Sequence, residues 1–252
     1  MSAPKALCDF VLHLADNALI LEHRNSEWTG HGPILEQDIA LSNIALDLIG
    51  QARHLYQYAA QLLNNGSTED FLAYLRNDRQ FLNCLLVEQP NGDWAQTIIR
   101  QFLFSTYHWF YYKQLQHAED HQIAAIASKS LKEIAYHLRW SSEWVIRLGD
   151  GTSESNHRMQ GALDKLWPLT GELLMPADYE KVVAQYGVII EYESIRKAYE
   201  EKIYKTLTVA TLRIPQTTWM QHGGKTGIHS EHMGYLLAEM QVLQRMYPGA
   251  EW

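Results

Sequence analysis

Apolar residues recur along most of this chain at the three- and four-residue steps of an α-helix. Leu7, Val11, Leu14, Ala18 and Leu21 mark a first amphipathic helix that ends near Arg24. The turn-forming run Gly30-His31-Gly32-Pro33 separates it from a second, which carries Leu41, Ile44, Leu48, Leu55, Ala59 and Leu62 and stops before Asn64-Asn65-Gly66. A shorter helix is expected after Ser67, with Asp70 three residues on completing an approximate capping box. The third long run starts after Pro90-Asn91-Gly92 and reaches about His117. It is apolar nearly all round (Ile98, Ile99, Phe102, Leu103, Phe104, Tyr107, Trp109, Phe110, Tyr111, Tyr112), as suits a helix that is central or covered by a partner. The fourth run, 121–148, sets Ile123, Ala127, Ile134, Leu138 and Val145 on one side and ends at Gly149-Asp150-Gly151. Beyond it lie a short helix over 156–167, one around Tyr192, Ile195, Tyr199 and Ile203, and a last one around Leu236, Met240 and Leu243.

No segment alternates convincingly as a strand, and neither a solenoid-length repeat nor a low-complexity linker breaks the chain. Four long helices in two antiparallel pairs predict an all-α, ferritin-like four-helix bundle with additional C-terminal helices. It is expected to be a single domain over 1–252, with a core bundle at about 5–149 and helical additions at about 153–247.

Composition narrows the function. Apolar residues make up 46% and charged residues 20% of the 252, and the net charge is −8 with no basic run. Binding to nucleic acid or to an anionic membrane needs concentrated positive charge and is not expected. Asp9, His13 and Asp16 break the stretch 6–23, which is neither a signal peptide nor a membrane span. Cys8 and Cys84 fit no metal or redox spacing and suit a reducing compartment. A cytoplasmic protein is the expectation.

The bundle pattern raises the question of a carboxylate-bridged di-iron centre, which needs a Glu from each of two helices and a Glu-x-x-His from each of the other two. Residues three apart face the same way, so one turn presents an oxygen and a nitrogen together. On the second helix the place of such a motif is taken by Asp47-Leu-Ile-Gly50, and glycine cannot ligate. On the fourth, Glu133-Ile-Ala-Tyr136-His137 puts tyrosine at the ligand position and the imidazole one residue late. Glu133 and His137 still share a face, and a buried hydrogen-bonded pair left from an ancestral site is the reading expected for them. Between 94 and 118 there is no acidic residue at all, while Asp16 and Glu22 of the first helix have no unambiguous partner. Iron wants oxygen-rich ligation, and most of those oxygens are missing. With Trp140 and Trp144, Glu133 and His137 form a stripe that reads equally as a residual pocket or partner seam and as a core face.

Gly223-Gly224-Lys225-Thr226-Gly227 superficially resembles a phosphate loop, but Trp219 occupies the place of its first glycine and no strand precedes it. A helix-connecting turn is expected, with Thr226 as an N-cap. The 12 histidines, among them His13, His23, His31, His54, His108 and His117, show no metal spacing with acidic neighbours, and no catalytic Ser/His/Asp or Cys/His set stands out.

Three stretches carry a family resemblance. Leu35-Glu36-Gln37-Asp38-Ile39-Ala40-Leu41-Ser42-Asn43-Ile44-Ala45-Leu46-Asp47-Leu48-Ile49-Gly50-Gln51-Ala52-Arg53 resembles the second helix of the structural-subunit family of bacterial phenylacetyl-CoA epoxidases. Arg147-Leu148-Gly149-Asp150-Gly151-Thr152 and the tail Glu239-Met240-Gln241-Val242-Leu243-Gln244-Arg245-Met246-Tyr247-Pro248-Gly249-Ala250-Glu251-Trp252 resemble it too, so the likeness runs from end to end. The resemblance implies a ferritin-like multicomponent monooxygenase of aerobic phenylacetate breakdown. There a sister subunit holds the di-iron centre and binds the CoA ester, and a reductase delivers electrons from NADPH through flavin and an iron–sulfur cluster. This chain would be the non-catalytic structural partner, holding no cofactor of its own, with no role in catalysis for Glu133 or His137. Alone, it is expected to form homo-oligomers. Two alternatives stand beside this reading: a ferritin-like oxidase or oxygenase with an unusual metal site of its own, and a helical storage or interaction protein.

Overall fold

The computed structural model describes residues 2–250 and builds them mainly from helices. In chain order these are α1 (Ala3–Ser26), α2 (Leu35–Leu63), α3 (Glu69–Tyr74), α4 (Trp94–Leu115), α5 (His121–Gly149), α6 (Ser153–Leu166), α7 (Asp178–Val183), α8 (Tyr192–Val209), α9 (Glu231–Met240) and α10 (Val242–Met246). Short 3₁₀ turns link several of them, and no strand occurs among the described residues. The chain is all-helical, in keeping with a ferritin-like helical fold. No described helix is long and apolar enough to cross a membrane. Glu251 and Trp252, the last residues of the tail singled out above, lie outside the described residues.

Side chains cap the starts of four helices. Asp93 accepts from the Gln96 N–H at 3.0 Å to open α4, and Asp120 takes the N–H groups of Gln122 and Ile123 to open α5. Thr152 and Ser155 cap α6 reciprocally, and Asn64, left-handed at φ 46°, closes α2. One start differs from expectation. The cap of α3 is Thr68, whose hydroxyl accepts from the Phe71 N–H at 3.2 Å, because Ser67 has its own N–H held by Asn65 Oδ1. The last helix is in fact two, α9 and α10, parted at Gln241, whose buried side chain donates to the Arg76 carbonyl at 3.1 Å.

The chain gathers into two compact units. One holds Met1–Pro90, Ala177–Val183 and Gly223–Trp252; the other holds Asn91–Pro176 and Ala184–His222. Each contains one pair of long helices, α1 with α2 and α4 with α5, and the expected additions at 153–247 are shared between the units. In the first, α1 also packs on α7; in the second, α6 and α8 pack on α4 and α5.

The burial of α1 and α4 departs from their sequence patterns. Every residue of α1 from 10 to 21 is buried, His13, Asp16 and Asn17 included, so α1 is not the amphipathic helix its leucines suggest. Its polar groups go inside because other segments bring partners to them. Every residue of α4 from 95 to 108 is buried as well, but seven of them are polar: Gln96, Thr97, Arg100, Gln101, Ser105, Thr106 and His108. These are met close by, with Gln101 donating to Ser105 at 2.9 Å, Thr106 to the Phe102 carbonyl at 2.8 Å and Arg100 to Asn91 at 2.6 Å.

Candidate functional site

The positions where a di-iron centre would have its ligands lie on α2 and α5. Asp47 and Gly50 lie on α2 in the first unit, half-buried, and a Cβ added at Gly50 would meet nothing within 4 Å. Glu133, Tyr136 and His137 lie on α5 in the second unit. His137 is buried while Glu133 is only half-buried, so the expected buried pair is buried at one end alone. Their surroundings are aromatic and nitrogenous. Burial and then the neighbouring His137 push the His108 imidazole down to about 3, which keeps it neutral. Burial and then the charge of Glu133 push the Tyr112 phenol up. The His108 ring meets Tyr112 edge-on with centroids 4.2 Å apart. Along the same stripe, Trp94 sets an edge against Trp140 and Trp144 at 6.1 and 6.2 Å. Of the two readings of that stripe, this geometry fits a packed core face. Among these residues of the second unit, one half-buried carboxylate beside imidazoles and phenols does not fit a di-iron centre.

The first unit holds a buried ionic network that the helical pattern did not reveal. Asp16 of α1 is fully buried and ion-paired to Arg76, which also reaches it through Nη1 at 3.1 Å. Tyr56 donates to Asp16 at 2.6 Å and the Leu82 N–H donates at 2.7 Å, so the carboxylate is well satisfied. The Arg76 guanidinium lies 4.1 Å from the Phe81 ring centroid. One turn earlier, His13 donates through Nδ1 to the Leu82 carbonyl at 2.7 Å, and burial holds its imidazole down at about 4.

A second cluster explains the glycine-rich segment. Lys225 is buried and ion-paired to Glu180 of α7 at 3.0 Å. His229 places Nδ1 2.7 Å from Glu88 and donates through Nε2 to the Phe81 carbonyl at 2.9 Å. Burial opposes its charge, but the hydrogen bond and charge of Glu88 outweigh it and raise the pKa. The backbone of this segment runs so close to 79–88 that a Cβ at Gly224 would sit 2.2 Å from the Asn83 carbonyl oxygen, and one at Gly227 2.4 Å from that of Arg79. Gly227 is also left-handed at φ 77°. The segment is the turn expected, and its glycines serve close approach rather than phosphate. Thr226 is not an N-cap: its hydroxyl donates to the Gly223 carbonyl at 2.9 Å, and α9 begins instead after Ser230.

One histidine that sequence spacing passed over does have acidic company. His23 and Glu27, near the end of α1, meet Glu239 of α9, with one ligand atom from each within 4.8 Å of the others. No other group of three or more His, Cys, Asp or Glu side chains among the described residues comes this close together. Glu239 comes from the far end of the chain, so no local pattern could have announced it.

Residues 1–252 match the family described as phenylacetic acid catabolic protein. The chain is 46% identical over 246 residues to the C subunit of 1,2-phenylacetyl-CoA epoxidase from Escherichia coli (strain K12), covering 98% of this chain and 99% of that one. Matched along its whole length, this chain belongs to the phenylacetic acid catabolic protein family.

Proposed function

We propose that this chain is the structural, non-catalytic subunit of a phenylacetyl-CoA epoxidase, pairing with and stabilising a sister subunit that holds the di-iron centre. The observation that carries this reading is the 46% identity, over 98% of the chain, to the C subunit of such an epoxidase. The donor set around Glu133 and His137 supports it, being too poor in oxygen for two irons. In this reading the flavin and iron–sulfur cluster sit in a reductase subunit, and this chain supplies a folded surface in the cytoplasm.

Exposed apolar side chains on α2 support this reading: Leu35, Ile39 and Leu46 are 72%, 51% and 67% exposed. These residues lie four and seven apart, on one side of the helix. Large apolar patches are uncommon on lone proteins and suit a covered face. The isolated chain is therefore expected to self-associate, and the sister subunit to convert it to a hetero-complex with a higher Tm, since a partner that binds only the folded state stabilises it. Size-exclusion with light scattering, together with thermal unfolding of the chain, the sister subunit and their mixture, tests this. A strictly monomeric chain whose unfolding ignores the sister subunit overturns the reading. So do two irons per chain after aerobic loading with ferrous salt, the outcome expected of an oxidase or oxygenase with its own centre.

A further inference from the structure

We propose that His23, Glu27 and Glu239 form a mononuclear site for a divalent transition-metal ion of the zinc type, clipping the end of α1 to α9. Spacing is the first support. His23 and Glu27 are four residues apart, and Glu27 keeps helical geometry (φ −56°, ψ −21°) just past the end of α1, so both side chains leave from one face of the last turn. Glu239, in the last turn of α9, faces them within the same unit. The three ligand atoms already lie within 4.8 Å of one another. Metal bonds of ~2.0–2.2 Å would draw them slightly closer, a movement that the exposed Glu239 on its flexible stem accommodates.

The second support comes from the imidazole itself. His23 Nε2 is sealed from solvent and has no hydrogen-bond partner. A buried nitrogen with nothing to bond is unusual in a folded chain and marks a place where a partner is wanting. Arg24 pairs with Glu27 at 2.9 Å and donates twice to the Glu88 carbonyl, which fixes Glu27 from behind. Such support for a metal-binding carboxylate is a recurring feature of built sites.

The donors decide the class of ion. One nitrogen and two carboxylates balance a doubly charged ion and leave positions for water. Magnesium and calcium prefer oxygen throughout, whereas zinc accepts imidazole and carboxylate together. The site holds one ion and no bridging carboxylate between two, so it is separate from the di-iron question. It stands whether or not the chain proves to be an epoxidase subunit.

The test is zinc titration of the EDTA-stripped full-length chain by calorimetry and native mass measurement, with thermal unfolding as a second readout. His23→Gln and Glu239→Gln are run alongside, and circular dichroism confirms their folding. One zinc per chain with micromolar affinity is expected, weakened at least tenfold in each variant, with a zinc-dependent rise in Tm lost in both. Glu239→Gln changes an exposed residue and keeps the test valid should His23→Gln fail to fold. Magnesium and calcium are expected to leave the Tm unchanged. Zinc binding that survives in either folded variant overturns the three-ligand site, as does no tight zinc in the parent chain, or a magnesium effect equal to that of zinc.

Discussion

α1 and α4 are both long helices buried along most of their length, yet they keep their polar groups inside by opposite means. α1 buries a carboxylate, Asp16, and relies on the counter-charge of Arg76, sixty residues away, with Tyr56 and the Leu82 backbone completing the shell. α4 buries mostly uncharged groups that bond within a turn or two, and fills the rest with rings: Phe104 stands 5.1 Å from His108, and Tyr107 stands 5.1 Å from Tyr111. The first arrangement depends on distant chain segments arriving together, because an unpaired buried charge is far costlier than an imperfect ring contact. The second is mostly local and tolerates adjustment.

Cutting each region sharpens that contrast. Arg76→Met should leave Asp16 buried without its counter-charge and cost about 3–5 kcal/mol in urea unfolding. Phe104→Leu in the other unit removes ring volume from a packed core and should cost about 1–2 kcal/mol. Equal losses would mean the two cores are not built differently after all. Acid comes next. His13 and His108 have folded pKa values near 4 and 3, below the unfolded value of about 6.5, so the unfolded chain binds more protons between them. Their contribution is present above pH 6.5 and lost as the pH falls, on the order of 3 kcal/mol for His13 and 5 kcal/mol for His108. Replacing His108 by Phe should flatten the unfolding profile between pH 6.5 and 4 but leave the part due to His13. His229, raised by Glu88, works in reverse, stabilising below its unfolded pKa and fading as the pH rises through its folded one.

A smaller effect comes from Glu22 of α1, which burial raises to about 7. The folded chain holds that proton between about pH 4.5 and 7 while the unfolded chain releases it, so stability falls across that window. Glu22→Gln should therefore gain about 1–2 kcal/mol at pH 8 and nothing at pH 4. The smallest change expected is functional. Glu133→Gln and His137→Gln, made singly, should leave epoxidase turnover of the reconstituted complex within a few fold. Loss of a general acid or base costs roughly a hundredfold or more. A drop of that size with assembly intact would return chemistry to α5.

Local periodicity carried the sequence reading well where helices are long. α1, α2, α4 and α5 fall within a few residues of expectation because turn-forming runs at 30–33, 64–66, 90–92 and 149–151 punctuate the chain between and after them. α7 is too short to show a period. That Asp16 would be buried with Arg76, or Lys225 with Glu180, depends on tertiary meetings that leave no mark on either partner's neighbours. That glycine at 50 offers no ligand atom is legible from chemistry alone; Glu239 beside His23 is not legible from any local pattern.

The close seam between 79–88 and 223–229 bears on how this protein is made. The first ninety residues emerge from the ribosome early, but their unit is completed only when Gly223–Trp252 follows. At ~5–20 residues per second, that leaves roughly ten seconds or more in which Glu88 lacks His229 and the backbone at Asn83 lacks Gly224. During this interval the nascent chain exposes an unfinished core, so a translational pause or premature stop before residue 223 should yield a product fit for chaperones and proteases rather than for assembly.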